Sequence, residues 1–321
     1  MDNNCAWQQI DADEIKEIPK PGTPEWQQNL RRPAWLRTSL RTDKTYGRVA
    51  SILRQGGLCT VCREAQCPNR QECWSEGTAT FMILGKVCTR ACRYCAVSHG
   101  GFEDARPDEP EQVAQAVEAM GLRFAVVTSV TRDDLPDGGA EHFAQTIMAI
   151  RLKNPNVGVE VLIPDFAGSE AALECVLLAE PRVLNHNMET VERLFPLLRP
   201  QGNYRRSLEL LGRADSWRKR SANAEKSLLL KSGLMVGLGE TRRELLQTMD
   251  DLRERGVDML TLGQYLRPSL QQVPVMRYWS PEEYEDLRQE GLKRGFKSVE
   301  AGVFVRSSYH AANSAQINRA K

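Results

Sequence analysis

The hydrophobic positions of this chain change rhythm near residue 79. Beyond it, short apolar, β-rich runs alternate with stretches whose apolar residues recur at helical spacing. The candidate strands are ATFMILG (79–85), FAVVTSV (124–130), VGVEVLIP (157–164), RVLNHN (182–187), LLLKSGLMVG (228–237) and DMLTLGQYL (258–266). Between them, EPEQVAQAVEAM (109–120), AEHFAQTIMAIRLK (140–153), SEAALECVLLA (169–179) and TRRELLQTMDDLRERG (241–256) read as amphipathic helices. Thr241 followed by Glu244 has capping-box spacing, and Gly256 suits a helix stop. Strand–helix alternation of this kind predicts an α/β fold with a parallel sheet. Right-handed crossovers allow a barrel or an open doubly wound sheet. No G-x-G-x-x-G follows the first strand, which weakens a dinucleotide-binding version of the latter.

In a parallel barrel the chemistry lies at the C-terminal ends of the strands. Here those ends are polar or glycine-rich. They carry a cysteine loop (88–95), TRDDLPDGG (131–139), Glu160 with Pro164 and Asp165, Asn185 to Asn187, Gly237 to Glu240, and Gln264 to Ser269. Any one of these reads equally well as a plain turn. Six around one mouth, one of them with three cysteines, favour an active site. Residues 1–57 differ in character: polar, broken by Pro19, Pro21, Pro24 and Pro33, they read as an extension that wraps onto something else. Within them RRPAWLRTSLR is either a solvated basic stretch anchored by Trp35 or a docking surface for an acidic protein.

Composition narrows the class without choosing a function. The 321 residues are 41% hydrophobic and 26% charged, which fits a globular protein. The net charge of +1 gives no bulk case for nucleic acid or membrane binding. No apolar run reaches the length of a membrane span, and the acidic start MDNNCAWQQIDADEIKEIP resembles neither a secretory signal nor an Arg-rich transit peptide. The expectation is a cytoplasmic protein.

The nine cysteines change the picture. Seven fall between Cys59 and Cys95, with Cys5 and Cys175 apart. An odd count clustered in a long chain argues against a disulfide framework and for metal. Cys88, Cys92 and Cys95 stand at C-x3-C-x2-C spacing, so one short loop can hold three corners of an iron–sulfur cube. A four-iron cluster normally takes four thiolates. Three local ligands therefore leave one iron open, as catalytic metal sites do. A zinc site remains open as an alternative, although only Cys92 and Cys95 have knuckle spacing. Upstream, Cys62, Cys67 and Cys73 form C-x4-C-x5-C, with Cys59 within reach by spacing; Cys175, in AALECVLLA, reads as a core residue.

CTRACRYC, with Tyr94 directly before its third cysteine, resembles the C-x3-C-x-aromatic-C signature of the radical S-adenosylmethionine enzymes. The resemblance implies a partial parallel (β/α)6 barrel with N- and C-terminal extensions. It also implies a 4Fe-4S cluster on Cys88, Cys92 and Cys95 whose open iron is chelated by S-adenosylmethionine, and cleavage of that molecule to a 5′-deoxyadenosyl radical. GLMVGLGE (233–240) resembles the family's fifth-strand pattern, implying backbone contact to adenine near Gly237. Gly138 and Gly139 fall where the family supports the methionine amino group, but Glu141 is one residue late for G-G-E and a tight turn is the competing reading. Tyr94, Glu160, Asn185 and Arg306 complete the expected cofactor contacts.

The upstream cysteines, with RRPAWLR, TSVTRDDLPDGGA, NHNMETV, KSGLMVGLGET, GQYLRPS and RSSYHA, resemble the lipoyl synthase family within that superfamily. This implies a second, auxiliary 4Fe-4S cluster on Cys62, Cys67, Cys73 and a serine of RSSY, assigned to Ser308, with Cys59 as the competitor. Alkoxide is a hard ligand for iron that prefers softer donors, which suits a cluster meant to come apart. The implied reaction inserts two sulfur atoms, at C6 and C8 of an octanoyl chain on a carrier-protein lysine, using two S-adenosylmethionine per lipoyl group and the auxiliary cluster as sacrificial donor. Those methylenes have no acidic proton for a base, so a radical route is the physical requirement. Ser308 is expected to leave iron once the first sulfur bonds carbon.

The implied partners are octanoylated lipoyl carrier domains (E2 subunits of 2-oxoacid dehydrogenases, the glycine cleavage H protein), an electron donor such as flavodoxin or ferredoxin, and an iron–sulfur carrier for repair. Arg31, Arg32, Arg37 and Arg41 are expected to steer an acidic carrier. The chain is expected to divide into an extension with the auxiliary cysteines (1–75), the partial barrel (76–295) and an extension with RSSY (296–321). Gln272 stands where the family often has histidine or asparagine. Other auxiliary-cluster enzymes, such as the biotin synthases, and a non-enzymatic zinc or iron–sulfur protein are the alternatives.

Overall fold

A computed structural model describes residues 17–36, 43–221, 228–309 and 311. Among these residues the strands are β1 (Cys59–Thr60), β2 (Thr80–Ile83), β3 (Val87–Cys88), β4 (Ser98–His99), β5 (Phe124–Ser129), β6 (Gly158–Leu162), β7 (Val183–Asn185), β8 (Leu229–Val236), β9 (Met259–Gln264) and β10 (Ser298–Gly302). The helices are α1 (Pro24–Gln27), α2 (Lys44–Gln55), α3 (Val61–Glu64), α4 (Arg70–Ser75), α5 (Glu109–Met120), α6 (Ala140–Lys153), α7 (Glu170–Leu178), α8 (Phe195–Leu198), α9 (Tyr204–Arg220), α10 (Arg242–Glu254) and α11 (Pro281–Lys293).

Eight strands form one sheet in the order β1-β2-β5-β6-β7-β8-β9-β10. Every neighbour pair is parallel except β1 on β2. Chain order and spatial order coincide, as successive right-handed βαβ units require. β2 and β9 bury every residue and β8 all but Met235, so these strands are covered on both faces. The six apolar runs thus became β2, β5, β6, β7, β8 and β9. The four expected helices are α5, α6, α7 and α10. Thr241 and Glu244 close the capping box of α10 reciprocally, Glu244 N–H on Thr241 Oγ1 at 3.2 Å and Thr241 N–H on Glu244 Oε2 at 2.8 Å. The partial barrel is met as a parallel α/β sheet. Among the described residues its ends, β1 and β10, do not pair with each other.

Two features differ from expectation. Part of the N-terminal stretch belongs to the body: α2 sends Val49 and Leu53 into the same hydrophobic core as Trp74, Phe81 and Ile83. A seventh parallel strand, β10, pairs with β9 and carries the chain back to the mouth before Arg306. The short SVEAG run is mostly half-buried, so it lacked the apolar continuity that marked the others.

A candidate active site at the strand tips

β2 ends in a strained turn, with buried Leu84 at φ +66° in the left-handed region. The buried Glu109 carboxylate accepts the Leu84 N–H at 2.8 Å and also bonds His142 Nε2 at 2.8 Å. The cysteine loop follows and is tied down almost residue by residue. Thr89 N–H donates to Thr131 O at 3.0 Å, Ala91 N–H to Gln201 Oε1 at 3.2 Å and Arg93 N–H to Leu198 O at 2.9 Å. Gln272 Nε2 donates to Cys95 O at 3.2 Å.

Arg90, inside the loop and buried, makes a fork to Asp133 at 2.7 and 2.8 Å and reaches Asp165 at 2.7 Å. Arg206 of α9 holds the other oxygen of Asp165 at 2.8 Å. The tips of β5 and β6 and a helix therefore clamp the loop through charge-assisted bonds.

The thiols fit an iron–sulfur cluster by their chemistry. Backbone N–H groups of Arg90 and Thr131 point at Cys88 Sγ (3.4 and 3.3 Å), and that of Val97 at Cys95 Sγ (3.4 Å). Burial, then the charges of Cys92, Cys88 and Glu189, push the Cys95 thiol up to about 12, against the Val97 N–H. Burial likewise raises Cys92, opposed by Arg199 and Tyr94. Cys92 and Cys95, which resist ionisation by themselves, ionise readily only around a strong positive charge, which iron supplies. Among the described residues no three His, Cys, Asp or Glu side chains close on a single metal ion.

The upstream set has the same character. Cys62 lies on α3, Cys73 on α4 and Cys67 between them, with Cys67 N–H on Cys62 O at 3.2 Å. Burial, then the Cys62 charge, raises Cys67, while Arg306 and the Asn69 N–H pull it down. Burial, then Cys62 and Cys67, pushes Cys73 to about 12. The chain after β10 packs on this set: Asn69 Nδ2 donates to Phe304 O at 2.6 Å, and Tyr309 Oη to Glu72 Oε1 at 3.0 Å. Ser307 accepts from Asn187 Nδ2 at 3.0 Å, whereas Ser308, half-buried, has no hydrogen bond to another described residue. Cys59, on β1, is raised by burial and then by Glu64 and Glu109; the three cysteines are not among its charged neighbours. Cys175 lies on α7 among Asp137 and Glu141, and Cys5, His310, Arg37 and Arg41 fall outside the described residues.

Between the two cysteine sets lie groups that the pattern reading passed over. Glu189 has φ +68° and accepts from Asn187 Nδ2 at 3.1 Å. Burial raises its carboxyl, opposed by Arg199, Asn187 and Arg306. Arg199 Nη1 donates to the carbonyls of Asn187 and Met188, both at 3.1 Å. Buried Asn187 Oδ1, Ser129 Oγ and Arg199 Nε lack partners among the described residues. Such unpaired buried atoms mark where a polar ligand belongs. NHNMETV was visible as a string, but only the local φ singles out Glu189.

Other expected contacts fall elsewhere. Glu160 is fully buried, holding Lys231 Nζ at 2.9 and 3.1 Å and Asn185 Nδ2 at 3.1 Å inside the sheet. Gly139, at φ +89°, starts α6 and packs so closely that a Cβ would meet Leu84 Cδ1 at 2.3 Å; Gly138 lies against Phe166. Gly237, at φ +97°, donates to Glu240 Oε1 at 2.5 Å, and Leu238 N–H to Glu240 Oε2 at 2.8 Å. A Cβ there would meet Gln264 Nε2 at 2.1 Å and Arg277 O at 2.4 Å. Tyr94 is raised far up by burial and lies within reach of Arg199, Cys92 and Glu189. Arg306 lies among Cys67, Tyr284 and Glu189.

Residues 82–252 match the family model described as the Radical SAM superfamily. Lipoyl synthase of Symbiobacterium thermophilum is 54% identical over 281 residues, covering 88% of this chain and 86% of that protein. That of Chlorobium phaeovibrioides is 50% identical over 290 residues (89% and 98%), and that of Proteus mirabilis 49% over 310 (95% and 94%). Among solved structures, Streptococcus suis SuiB bound to S-adenosylmethionine superposes with a TM-score of 0.53 at 10% identity, over 73% of this chain and 54% of SuiB. At that identity the match speaks for the fold alone.

Proposed function

This chain belongs to the lipoyl synthase family of the radical S-adenosylmethionine superfamily, and we propose from that premise how its residues divide the work. It is a sulfurtransferase that uses 4Fe-4S clusters and S-adenosylmethionine to form the lipoyl group. Cys88, Cys92 and Cys95 hold the cluster that binds S-adenosylmethionine, and Cys62, Cys67, Cys73 and Ser308 hold the auxiliary one. When bound, the first cluster with S-adenosylmethionine supplies a carbon-centred radical and the second supplies sulfur, at C6 and C8 of an octanoyl-lysine.

The chain's own residues do the holding. The Arg90–Asp133–Asp165 clamp and Gln272 keep the loop from shifting. Gly237, with no side chain, lets the β8 tip close on Gln264 and Arg277, its N–H held by Glu240 and its carbonyl by the Met276 N–H, and so fixes the backbone of the strand tip assigned to adenine; Gly138 and Gly139 bring the α6 start close to the mouth. Tyr94, Arg199 and Arg306 surround the thiols, while Asn187 and Glu189 offer an amide oxygen and a carboxylate to polar groups of the bound molecule. Glu160 and Asn185 act one layer lower, through Lys231, as a support. Ser307 is engaged by Asn187, which leaves Ser308 as the hydroxyl available to iron. The division into 1–75, 76–295 and 296–321 is functional: auxiliary cysteines, radical site and serine.

The observation that carries this reading is that Asn187 Nδ2 donates both to Glu189, which lies among Cys92 and Cys95, and to Ser307 beside Ser308 (3.1 and 3.0 Å), while Arg306 lies among Glu189 and Cys67. Substrates are octanoylated carrier domains, of E2 or H-protein type. A flavodoxin or ferredoxin supplies electrons, an iron–sulfur carrier rebuilds the auxiliary cluster, and the reducing cytoplasm is the matching compartment. Anaerobic purification followed by reaction with an octanoyl-lysine peptide, S-adenosylmethionine and dithionite tests the reading. A brown protein with about seven to eight irons per chain and a product heavier by two sulfurs is expected. A colourless zinc protein, or iron without sulfur transfer, would overturn it.

A further inference from the structure

The N-terminal segment and the strap after β9 meet over a concavity of about 220 Å³, lined among others by Leu30, Arg32, Arg267, Leu270 and Tyr278. Leu30, Trp35 and Leu270 are large apolar side chains left 43%, 43% and 49% exposed, and Arg31 and Arg32 are exposed beside them. Between Gln28 and Leu36 the chain carries two arginines and no acidic residue. The aromatic that anchors this stretch is Trp26, buried with its Nε1–H on Leu270 O at 3.1 Å, so Trp35 is not needed to hold it.

The concavity is rigid and close to the chemistry. The Arg267 guanidinium donates to the carbonyls of Trp26 (2.8 Å), Gln28 (3.1 Å), Leu270 (2.9 Å) and Gln272 (2.9 Å) and to Asn29 Oδ1 (3.0 Å). One side chain thus welds the segment to the strap. Ser269, on the lining, donates to Gln272 Oε1 at 2.7 Å, and Gln272 Nε2 donates to Cys95 O. The concavity is two hydrogen bonds from the third cysteine of the radical loop.

We propose that this concavity is the seat of the carrier domain: an acidic protein surface beside the modified lysine meets Arg31 and Arg32, and an apolar contact covers Leu30 and Leu270. The proposal rests on the carrier-bound substrate proposed above. Charge chooses the occupant, because a patch of apolar side chains rimmed by unopposed guanidinium groups rejects a basic partner and steers an acidic one. A preformed seat also places the octanoyl arm without ordering a loop on each encounter.

The test compares an octanoylated acidic carrier domain with a short uncharged octanoyl-lysine peptide as substrates of the wild type and of Arg31→Glu/Arg32→Glu. The ratio of carrier KM to peptide KM should rise about tenfold on charge reversal, and the wild-type ratio should climb with salt between about 0.05 and 0.3 M. Carrier binding without turnover, read by fluorescence anisotropy, should weaken by a similar factor. Arg31→Gln/Arg32→Gln should fall between, which separates charge from a folding defect. A reversed variant whose ratio and carrier affinity both stay within about twofold of wild type overturns the seat. Wild-type protein that modifies neither substrate sinks the assigned reaction instead, and the anisotropy arm still decides the seat.

Discussion

Replacing Asp165 by asparagine tests whether the clamp on the cysteine loop is as strong as its geometry implies. Asp165 is fully buried, with Arg90 on one oxygen and Arg206 on the other. Burial alone would raise its carboxyl; the hydrogen bond and charge of Arg90, aided by Arg206 and His186, outweigh burial and hold it at about 2. One pH unit is worth about 1.4 kcal/mol, so a carboxylate held roughly two pH units low contributes about 2–3 kcal/mol. The amide would keep the shape and lose the charge, leaving Arg206 without its anion and Arg90 with Asp133 only. Breaking a buried pair costs about 3–5 kcal/mol, and the remaining Asp133 puts the expectation at the low end, about 3 kcal/mol. In a chain of this size that lowers Tm by roughly 4–5 °C.

The pH dependence has a definite sign. A carboxyl depressed in the folded state stabilises above its ordinary pKa and loses that contribution as pH falls through the folded value. The gap between wild type and Asp165→Asn should therefore stay constant from about pH 8 to 5 and narrow below about pH 4. Circular dichroism melts of the anaerobically purified proteins give the gap. Visible charge-transfer absorption reports whether the loop still loads iron. A variant that melts within about 2 °C of wild type at neutral pH, with full iron, would refute the reasoning.

Three further outcomes are expected. Ser308→Cys should retain iron at the auxiliary site but lose turnover, because a thiolate holds iron more firmly than an alkoxide; a fully active variant counts against Ser308 as a ligand that must leave. Gly237→Ala should cost about 2–4 kcal/mol in stability and weaken S-adenosylmethionine binding at least about tenfold by equilibrium dialysis, since its Cβ has no room and the backbone is left-handed. Lys231→Met should destabilise by about 3–5 kcal/mol by stranding the Glu160 carboxylate, and Lys231→Met/Glu160→Leu should recover most of that in a thermal melt. Failure of the double variant to recover would assign Glu160 a role beyond supporting the sheet.

The sequence pattern carried the frame of this protein well because its strands are continuous apolar runs and its crossover helices are amphipathic. β2, β5 and α10 fell where period and capping put them. α9 was passed over because YRRSLELLGRADSWRKR is dominated by charge, although its Leu208, Leu210, Leu211 and Ala214 are buried. The two cysteine sets were legible from spacing, since spacing is local. The residues that hold them were not. Arg90 meets Asp133 and Asp165 only because two strand tips converge, and Arg267 joins segments some 240 positions apart. Asn185 and Asn187 look alike in NHN, and strand alternation would place both on one face, yet one turns into the sheet and the other toward Ser307, because β7 ends at Asn185 and the chain changes course before Asn187.

The return of the chain through β10 also sets an order of manufacture. The loop of Cys88, Cys92 and Cys95 finds Asp133, Asp165, Leu198 and Gln201 within the first two-thirds of the chain, and Gln272 soon after β9. The auxiliary cysteines are made earlier still, yet Phe304 and Tyr309, which pack on them, lie 235 and 237 positions downstream of their partners Asn69 and Glu72. During synthesis from the N-terminus, the proposed radical site can take shape while the proposed sulfur-donating site is still three thiols awaiting a closing segment. Completion of the polypeptide is thus a checkpoint: on the proposed division of sites, a chain interrupted just before β10 has a place for the oxidising chemistry and no finished store of sulfur to couple it to.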